Sequence, residues 1–320
     1  MTFAASPSPL VSRLVCEAGY DLDTYEVRGF PRRLGLPLVR ALGRAARAPV
    51  DCVRILRRRR PDVVLGGGGY VAGPMVFSAG MLRIPAATME ADAHLGLANR
   101  LAAPLVKRVF LAFPIDGLEP PKYEVVGRPI PSRAQVPETY GDARRRFGLP
   151  ENGRVVLVFG GSQGARALNE AAVEAFAGDG PAVLHLSGER DYPALADRVR
   201  RPDYKLVPFT DDFGAALAAA DLVVARAGGS VWEVAAAGKP VLLVPYPYAT
   251  ADHQAKNARY FERAGGAIMV REDDLDLRRR VDELLADADR LASMSAAMRR
   301  LARPDAADRV AEELIALAAA

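Results

Sequence analysis

Three times in this chain a short apolar run ends in glycines and gives way to a helical pattern. Residues 62–65 run into 66–69, VVLVF runs into Gly160 and Gly161, and residues 222–225 precede Gly228 and Gly229. Strands that are repeatedly followed by helices leave few folds open, because crossover helices join parallel strands and a parallel sheet needs both faces covered. Further strand-like runs at 86–89, 108–111, 123–126, 182–186, 205–207, 241–244 and 267–270 continue the alternation. Helices are expected over 10–15, over 38–59 (where Pro49 should kink or split the element), from Pro74 to about 83, and in the alanine-rich tail from Pro304. Residues 22–27 read as extended.

With 320 residues, half of them hydrophobic, the chain is long enough for two domains with their own cores. The Pro-, Arg- and Gly-rich stretch near 131–153 divides them. The expected organisation is a first domain over 1–133, a linker over 134–153 and a second domain over 154–303, with the helix 304–320 packing back on the first. A net charge of +4 and 7% aromatics give no basic–aromatic interleaving and argue against nucleic acid. Two cysteines make no disulfide scaffold and fit a reducing compartment. Three histidines without clustered ligands argue against a metal site. No apolar run is long enough for a membrane span, and the N-terminus lacks the basic start of a signal peptide.

In doubly wound sheets, ligands lie beyond the carboxyl ends of the strands, where these glycine loops fall. Glycine lets backbone approach a ligand, and a helix N-terminus offers unpaired N–H groups to an anion. In the second loop, Ser162 can cap the helix or donate to a phosphate, and the N–H groups of Gln163 and Gly164 add to that field. No loop reads G-x-G-x-x-G or Walker A, so neither a dinucleotide nor ATP is implied. In the stretch 225–258, Ser230 and Glu233 form either a capping box or, through Glu233, a grip on a ribose diol. Capping explains none of Asp252, His253, Gln254 and Asn257, whose groups suit sugar hydroxyls. The combination points to a nucleotide-sugar donor.

The segments GGGGYVAGP, GGSQGARALNEA, RAGGSVWE and ADHQAKNA, with GFPRR at 29–33, LGLANR at 95–100 and VGRPIP at 126–131, resemble in order and spacing the signature loops of the MurG family. The resemblance covers essentially the whole chain. It implies a GT-B fold, two Rossmann-like parallel-sheet domains facing a cleft. It also implies inverting, metal-independent transfer of N-acetylglucosamine from UDP-N-acetylglucosamine to the lipid-linked, undecaprenyl-pyrophosphoryl muramyl-pentapeptide, with no cofactor. Carried over, Gly161, Ser162, Gln163 and Gly164 meet the diphosphate, and Phe209 and Thr210 lie where backbone pairs with uracil. Glu233 binds the ribose; Arg226, Gly228 and Gly229 face sugar or phosphate; His253, Gln254 and Asn257 face the sugar. Gly68, Gly69 and Tyr70 face the acceptor.

The chain also departs from the family pattern. The family starts with a strand and a GGTxGH loop bearing the proposed base histidine, whereas TFAASP at the start of this chain matches the family's second strand. The first sheet is therefore expected to lack its central strand, and these 320 residues alone are expected to turn over slowly or not at all. Asp92, His94 and His253 are the substitute base candidates, while His185 is expected in the core. Met89–Asp92 replaces HEQN and places Asp92 where an amide at the donor is usual. RPIP replaces NPVR, and Arg128 is the expected substitute for its phosphate-facing arginine. The loop before Glu233 is one residue shorter than the common form.

The lipid acceptor implies peripheral contact with an anionic membrane surface, at the cytoplasmic face of the bacterial cell membrane. RILRRRR at 54–60, with Leu38, Leu42, Met75, Phe77, Met81 and Leu82, is either that contact or a solvated helix end. Two rival readings are a sugar-nucleotide-binding protein without turnover, and a related UDP-sugar epimerase or glycolipid or macrolide transferase.

Overall fold

A computed structural model describes residues 1–27, 36–131, 134, 139–161 and 164–319, with backbone alone over 36–46. GFPRR at 29–33, Ser162, Gln163 and the side chains of Leu38 and Leu42 lie outside the described set. The chain divides into two compact units, one of Met1–Val126 with Asp308–Ala320, the other of Gly127–Ala307.

In the first unit, β1 (Thr2–Ala5) and β2 (Asp21–Thr24) pair in parallel across α1 (Pro9–Glu17). After α2 (Leu36–Arg59), a second parallel sheet runs in the order β3 (Val64–Gly66), β4 (Ala86–Glu90), β5 (Arg108–Leu111), β6 (Tyr123–Val125). The helices α3 (Gly69–Met81) and α4 (Leu97–Ala102) lie between those strands in sequence. Among the described residues nothing pairs with the outer edge of β1 or of β3. Among the described residues the unit thus holds two separate parallel sheets.

Of the two outcomes expected at Pro49, a split is not seen, since α2 is continuous through it. Ala48, Cys52, Ile55 and Leu56, on either side of the proline, are buried in one core with Val76 and Ala79 of α3. Each large apolar side chain buried there contributes about 1.5–3 kcal/mol, which together outweigh the roughly 3 kcal/mol cost of an internal proline. Helix α3 starts at Gly69, well before Pro74. Its start is set by Gly68 at φ 87°, where a Cβ would lie 2.7 Å from the Met89 carbonyl oxygen. Pro74 then removes only one bond of the helix ladder.

The second unit carries a six-stranded parallel sheet in the order β12-β11-β10-β7-β8-β9. Its strands are β7 (Val155–Phe159), β8 (Ala182–Leu186), β9 (Tyr204–Val207), β10 (Leu222–Ala225), β11 (Val241–Leu243) and β12 (Ala267–Met269). All residues of β7, β8, β10 and β11 are buried, as strands covered on both faces must be. The chain winds outward from β7 to β9, then returns to the other side of β7 with β10. This reversal places the topological switch point between the carboxyl ends of β7 and β10.

The segment expected as a linker is built into this unit. Its helix α5 (Tyr140–Arg146) is capped by Thr139 and carries Arg144, which is fully buried. Arg144 donates to the carbonyls of Ala219, Pro150, Glu151 and Gly153 at 3.0–3.2 Å and to Asp221 at 2.8 Å. A buried guanidinium needs every donor satisfied, and these bonds hold 139–153 to the end of α8 (Phe213–Ala219). The division of the chain at Val126 also falls seven residues before the expected 133. The last helix, α13 (Ala306–Ala319), places Val310 against Ala87, Phe110 and Val126 of the first unit, and Arg309 donates to Glu124 at 2.6 Å.

Candidate functional site

The switch point of the second unit carries two neighbouring cavities that share the loop after β7. The smaller, about 220 Å³, is walled by Phe159, Gly161, Phe209, Thr210, Ser230 and Glu233. The larger, about 580 Å³, is walled by residues that include Gly160, Gly164, Arg166, Arg190, Arg226 and Gln254.

Glu233 sits in the first turn of α9 (Val231–Ala236), after the glycines that follow β10. The capping alternative is not realised, since Ser230 has helical backbone angles and its side chain makes no cap bond. Glu233 is therefore half-buried beside an apolar slot formed by Phe209 and the edge-to-face pair Phe159–Phe213, whose rings are 5.1 Å apart. A carboxylate next to aromatic surface at a βα switch point suits a ribose attached to a planar base.

The loop after β7 is tightly specified. Gly160 leaves no room for a side chain because Ala165 lies against it. Gly161 and Gly164 hold φ of 93° and 72°, and a Cβ on Gly164 would collide with the Ser187 carbonyl. One expectation fails here. The N–H of Gly164 donates to the Gly161 carbonyl at 2.9 Å and is not offered to an anion. Helix α6 (Arg166–Phe176) starts one turn later, with Asn169 N–H the first to reach back, to Ala165. The N–H groups left without helical acceptors are those of Arg166, Ala167 and Leu168, and the first two residues wall the larger cavity.

After β10, Gly228 faces open space, and the Arg128 guanidinium lies on Gly229 where a side chain would collide with it. Arg226 is largely buried; it donates to the carbonyls of Val244 and Pro245 at 3.1 and 3.2 Å and pairs with Glu272. Its charge thus locks the ends of β10 and β11 more than it serves a ligand. Gln254, at the start of α10 (His253–Arg263), lines the cavity, and its Oε1 accepts the Tyr246 N–H at 2.8 Å. Its NH₂ end is the part suited to a hydroxyl. His253 holds Nδ1 2.9 Å from the Thr250 carbonyl, so that nitrogen carries the proton and Nε2 keeps the lone pair. Ala251 and Asp252, just before, both adopt left-handed backbone angles (φ 54° and 55°), a cost of about 1–3 kcal/mol each and a frequent mark of a binding loop.

Asn257 is a correction. Expected to face the sugar, it is fully buried, and its amide donates to the Ala227 carbonyl at 3.0 Å. It braces the third glycine loop from below. Sequence reasoning missed Arg190, Tyr246 and Glu272 altogether; Arg166 lay inside a motif but was not assigned a role. Only the contact between distant loops reveals them.

The first unit has its own polar cluster at the carboxyl ends of β3 and β4. Thr88 donates its hydroxyl proton to Asn99 Oδ1 at 2.6 Å, with the Gly66 carbonyl 3.2 Å away, and Asn99 donates to the Met89 carbonyl and to Glu90, both at 2.9 Å. Glu90 also accepts the N–H groups of Gly96 at 2.8 Å and Asp92 at 3.3 Å. This cage fixes the start of the loop bearing Asp92 and His94, and Gly68 packs against the Met89 carbonyl and Asn99; Tyr70, two residues on, is exposed. His185, expected in the core, is fully buried in β8. Among the described residues no group of three or more His, Cys, Asp or Glu is arranged to hold a metal.

Residues 5–111 match the glycosyltransferase family 28 N-terminal domain, and residues 155–310 the family 28 C-terminal domain. A relative from Halorhodospira halophila is 44% identical over 94% of this chain and 86% of its own length. One from Rubrobacter xylanophilus is 39% identical over 99% of this chain and 95% of its own. Both are named UDP-N-acetylglucosamine–N-acetylmuramyl-(pentapeptide) pyrophosphoryl-undecaprenol N-acetylglucosamine transferase. The crystal structure of Acinetobacter baumannii MurG superposes with a TM-score of 0.77 at 27% identity, covering 98% of this chain and 90% of that one. The chain belongs to glycosyltransferase family 28 and, within it, to the MurG family.

Proposed function

We propose that the chain moves N-acetylglucosamine from UDP-N-acetylglucosamine to a lipid-linked N-acetylmuramyl-pentapeptide, the peptidoglycan step for which its relatives are named. The observation that carries the donor assignment is the pair of cavities around the loop after β7. One suits a nucleoside, with Glu233 at the ribose; the other suits phosphate and sugar, with the α6 N-terminus, arginines and Gln254. The acceptor hydroxyl attacks the anomeric carbon, the bond from that carbon to the diphosphate oxygen breaks, and UDP leaves with the bonding pair. Helix N–H groups and guanidinium groups of the larger cavity stabilise the charge that grows on the leaving diphosphate. The hydroxyl proton passes to a base, for which the Nε2 lone pair of His253 is one candidate and Asp92 and His94 are the others.

The acceptor's lipid calls for a peripheral contact with an anionic, cytoplasm-facing membrane surface. Phe77, Met81, Leu97, Leu101 and Leu105, on α3, α4 and the turn that follows, are exposed together with Arg83 and Arg100. Met75 is instead buried in the core, and Arg58 and Arg59 are committed to Asp23 and Asp21 at 2.5–2.8 Å. In this reading the lipid contact rests on the α3 side of the expected patch and on α4 rather than on Arg58 and Arg59. Among the described residues no helix is long and apolar enough to cross a membrane.

The test is transfer of labelled N-acetylglucosamine into the lipid-extractable fraction with the lipid-linked acceptor in anionic vesicles. Label that stays in the nucleotide sugar, with saturable donor binding, would reduce the chain to a nucleotide-sugar-binding protein.

A further inference from the structure

A line of buried polar groups crosses the second unit and ends on the larger cavity. Tyr204 of β9, His185 of β8, and Asn169 of α6 are 3%, 0% and 0% exposed, and Asp191, before α7 (Tyr192–Leu195), is 5% exposed. His185 Nδ1 lies 2.9 Å from the Tyr204 hydroxyl and Nε2 lies 3.0 Å from Asn169 Oδ1. Asn169 Nδ2 donates to the Ser187 carbonyl at 2.8 Å and to Asp191 Oδ2 at 3.0 Å. Because that amide is committed as a donor, Asn169 Oδ1 must accept, so His185 carries its proton on Nε2. Tyr204 then donates to Nδ1, and the direction of every bond is fixed.

The line ends on Arg190. Its Nε and Nη2 grip the two oxygens of Asp191 at 2.8 and 3.1 Å, while the Arg190 side chain is 56% exposed and walls the cavity beside Arg166 and Gly164. Asp191 sits behind and Arg190 in front, so the pair presents its positive end to the cavity, with the Nη1 hydrogens unspent among the described residues. Arg226, the other inner cation, is consumed by Glu272 and two carbonyls. The same line also holds Gly164, whose Cα faces the Ser187 carbonyl and Asp191. Since Glu233, Phe209 and Gly161 wall the nucleoside side of the shared loop, Arg190 lies toward the phosphate farther from the nucleoside.

We propose that Arg190 is a specificity-determining residue that reads the second phosphate of the donor, and that Tyr204, His185, Asn169 and Asp191 are its positioning residues. This rests on the donor-site reading above. A surface arginine held only at its own carboxylate samples many rotamers; one whose carboxylate is fixed from behind keeps its fork in place and loses less freedom on binding.

Calorimetric titration of the whole chain with UDP and with UMP tests it, because the two ligands differ by that phosphate. Arg190→Gln should weaken UDP about tenfold and UMP by less than twofold, and Arg190→Lys should recover part of the loss. His185→Phe should reproduce the selective loss, His185→Gln, whose amide reaches the Nε2 position, should restore much of it, and the double variant Arg190→Gln/His185→Phe should be no worse than Arg190→Gln alone. If His185→Phe does not fold, Tyr204→Phe, which removes one hydroxyl, takes its place in the cycle. Equal UDP preference in wild type and Arg190→Gln, or fully additive losses in the double variant, would overturn the inference. Wild-type protein that binds UDP and UMP alike would also overturn it, whereas wild-type protein that binds neither would overturn the donor-site reading itself.

Discussion

Removing the Glu233 carboxylate separates ligand chemistry from helix chemistry. In Glu233→Ala the ribose diol loses a charge-assisted partner in a half-buried setting, a loss of about 1–3 kcal/mol, or roughly 5- to 150-fold in UDP affinity. On the stability side, the first turn of α9 loses an acid, worth about 0.3–1 kcal/mol, with no Ser230 side-chain cap lost beside it. For a unit of this size that is at most a few degrees in Tm. Titration with UDP and 2′-deoxy-UDP, beside a thermal melt, reads both terms. Wild type should discriminate against the deoxy ligand, and the variant should not. Unchanged UDP affinity accompanied by a large fall in Tm would refute the ribose assignment and return Glu233 to a structural role.

Gln254→Ala removes the NH₂ donor without adding charge to the phosphate cavity, so UDP-N-acetylglucosamine should weaken while UDP holds; equal losses would place Gln254 on the nucleotide or the fold. Asn257→Ala strands the buried Ala227 carbonyl and should cost about 1–3 kcal/mol of stability by denaturant unfolding; a stable variant with impaired sugar binding would restore Asn257 as a ligand contact. Burial pushes the His185 imidazole from its ordinary 6.5 down to about 4. The unfolded chain therefore binds the extra proton between those values, and stability should fall as pH drops from 6.5 toward 4, by about 3 kcal/mol at the lower end. In His185→Gln that part of the acid slope should vanish, and an identical slope in wild type and variant would show that His185 is not its source.

Much of this was legible because the signals were local. Parallel strands announce themselves as apolar runs, and glycine loops mark the points where backbone must turn with positive φ or pass close to another loop, as at Gly68 and Gly164. Long-range pairing was not legible. Nothing near Arg190 says that Asp191 is held by Asn169, 22 residues away, or that Asn257 reaches a carbonyl 30 residues earlier. That the helix runs on through Pro49 was not legible for the same reason, since the packing that offsets the local cost comes from α3. The 139–153 stretch has a loop's composition, yet one buried arginine bonded to residues up to 77 positions away makes it part of the second unit.

Transfer itself is the most direct test of the central claim. Labelled UDP-N-acetylglucosamine and lipid-linked muramyl-pentapeptide in anionic vesicles would be given to the protein and to its Glu233→Ala variant. Label should enter the lipid fraction with the unaltered protein, and about 5- to 150-fold more slowly with the variant at subsaturating donor. A protein that binds the donor saturably and leaves the lipid unlabelled would contradict the assignment of this chain as a lipid-directed N-acetylglucosamine transferase.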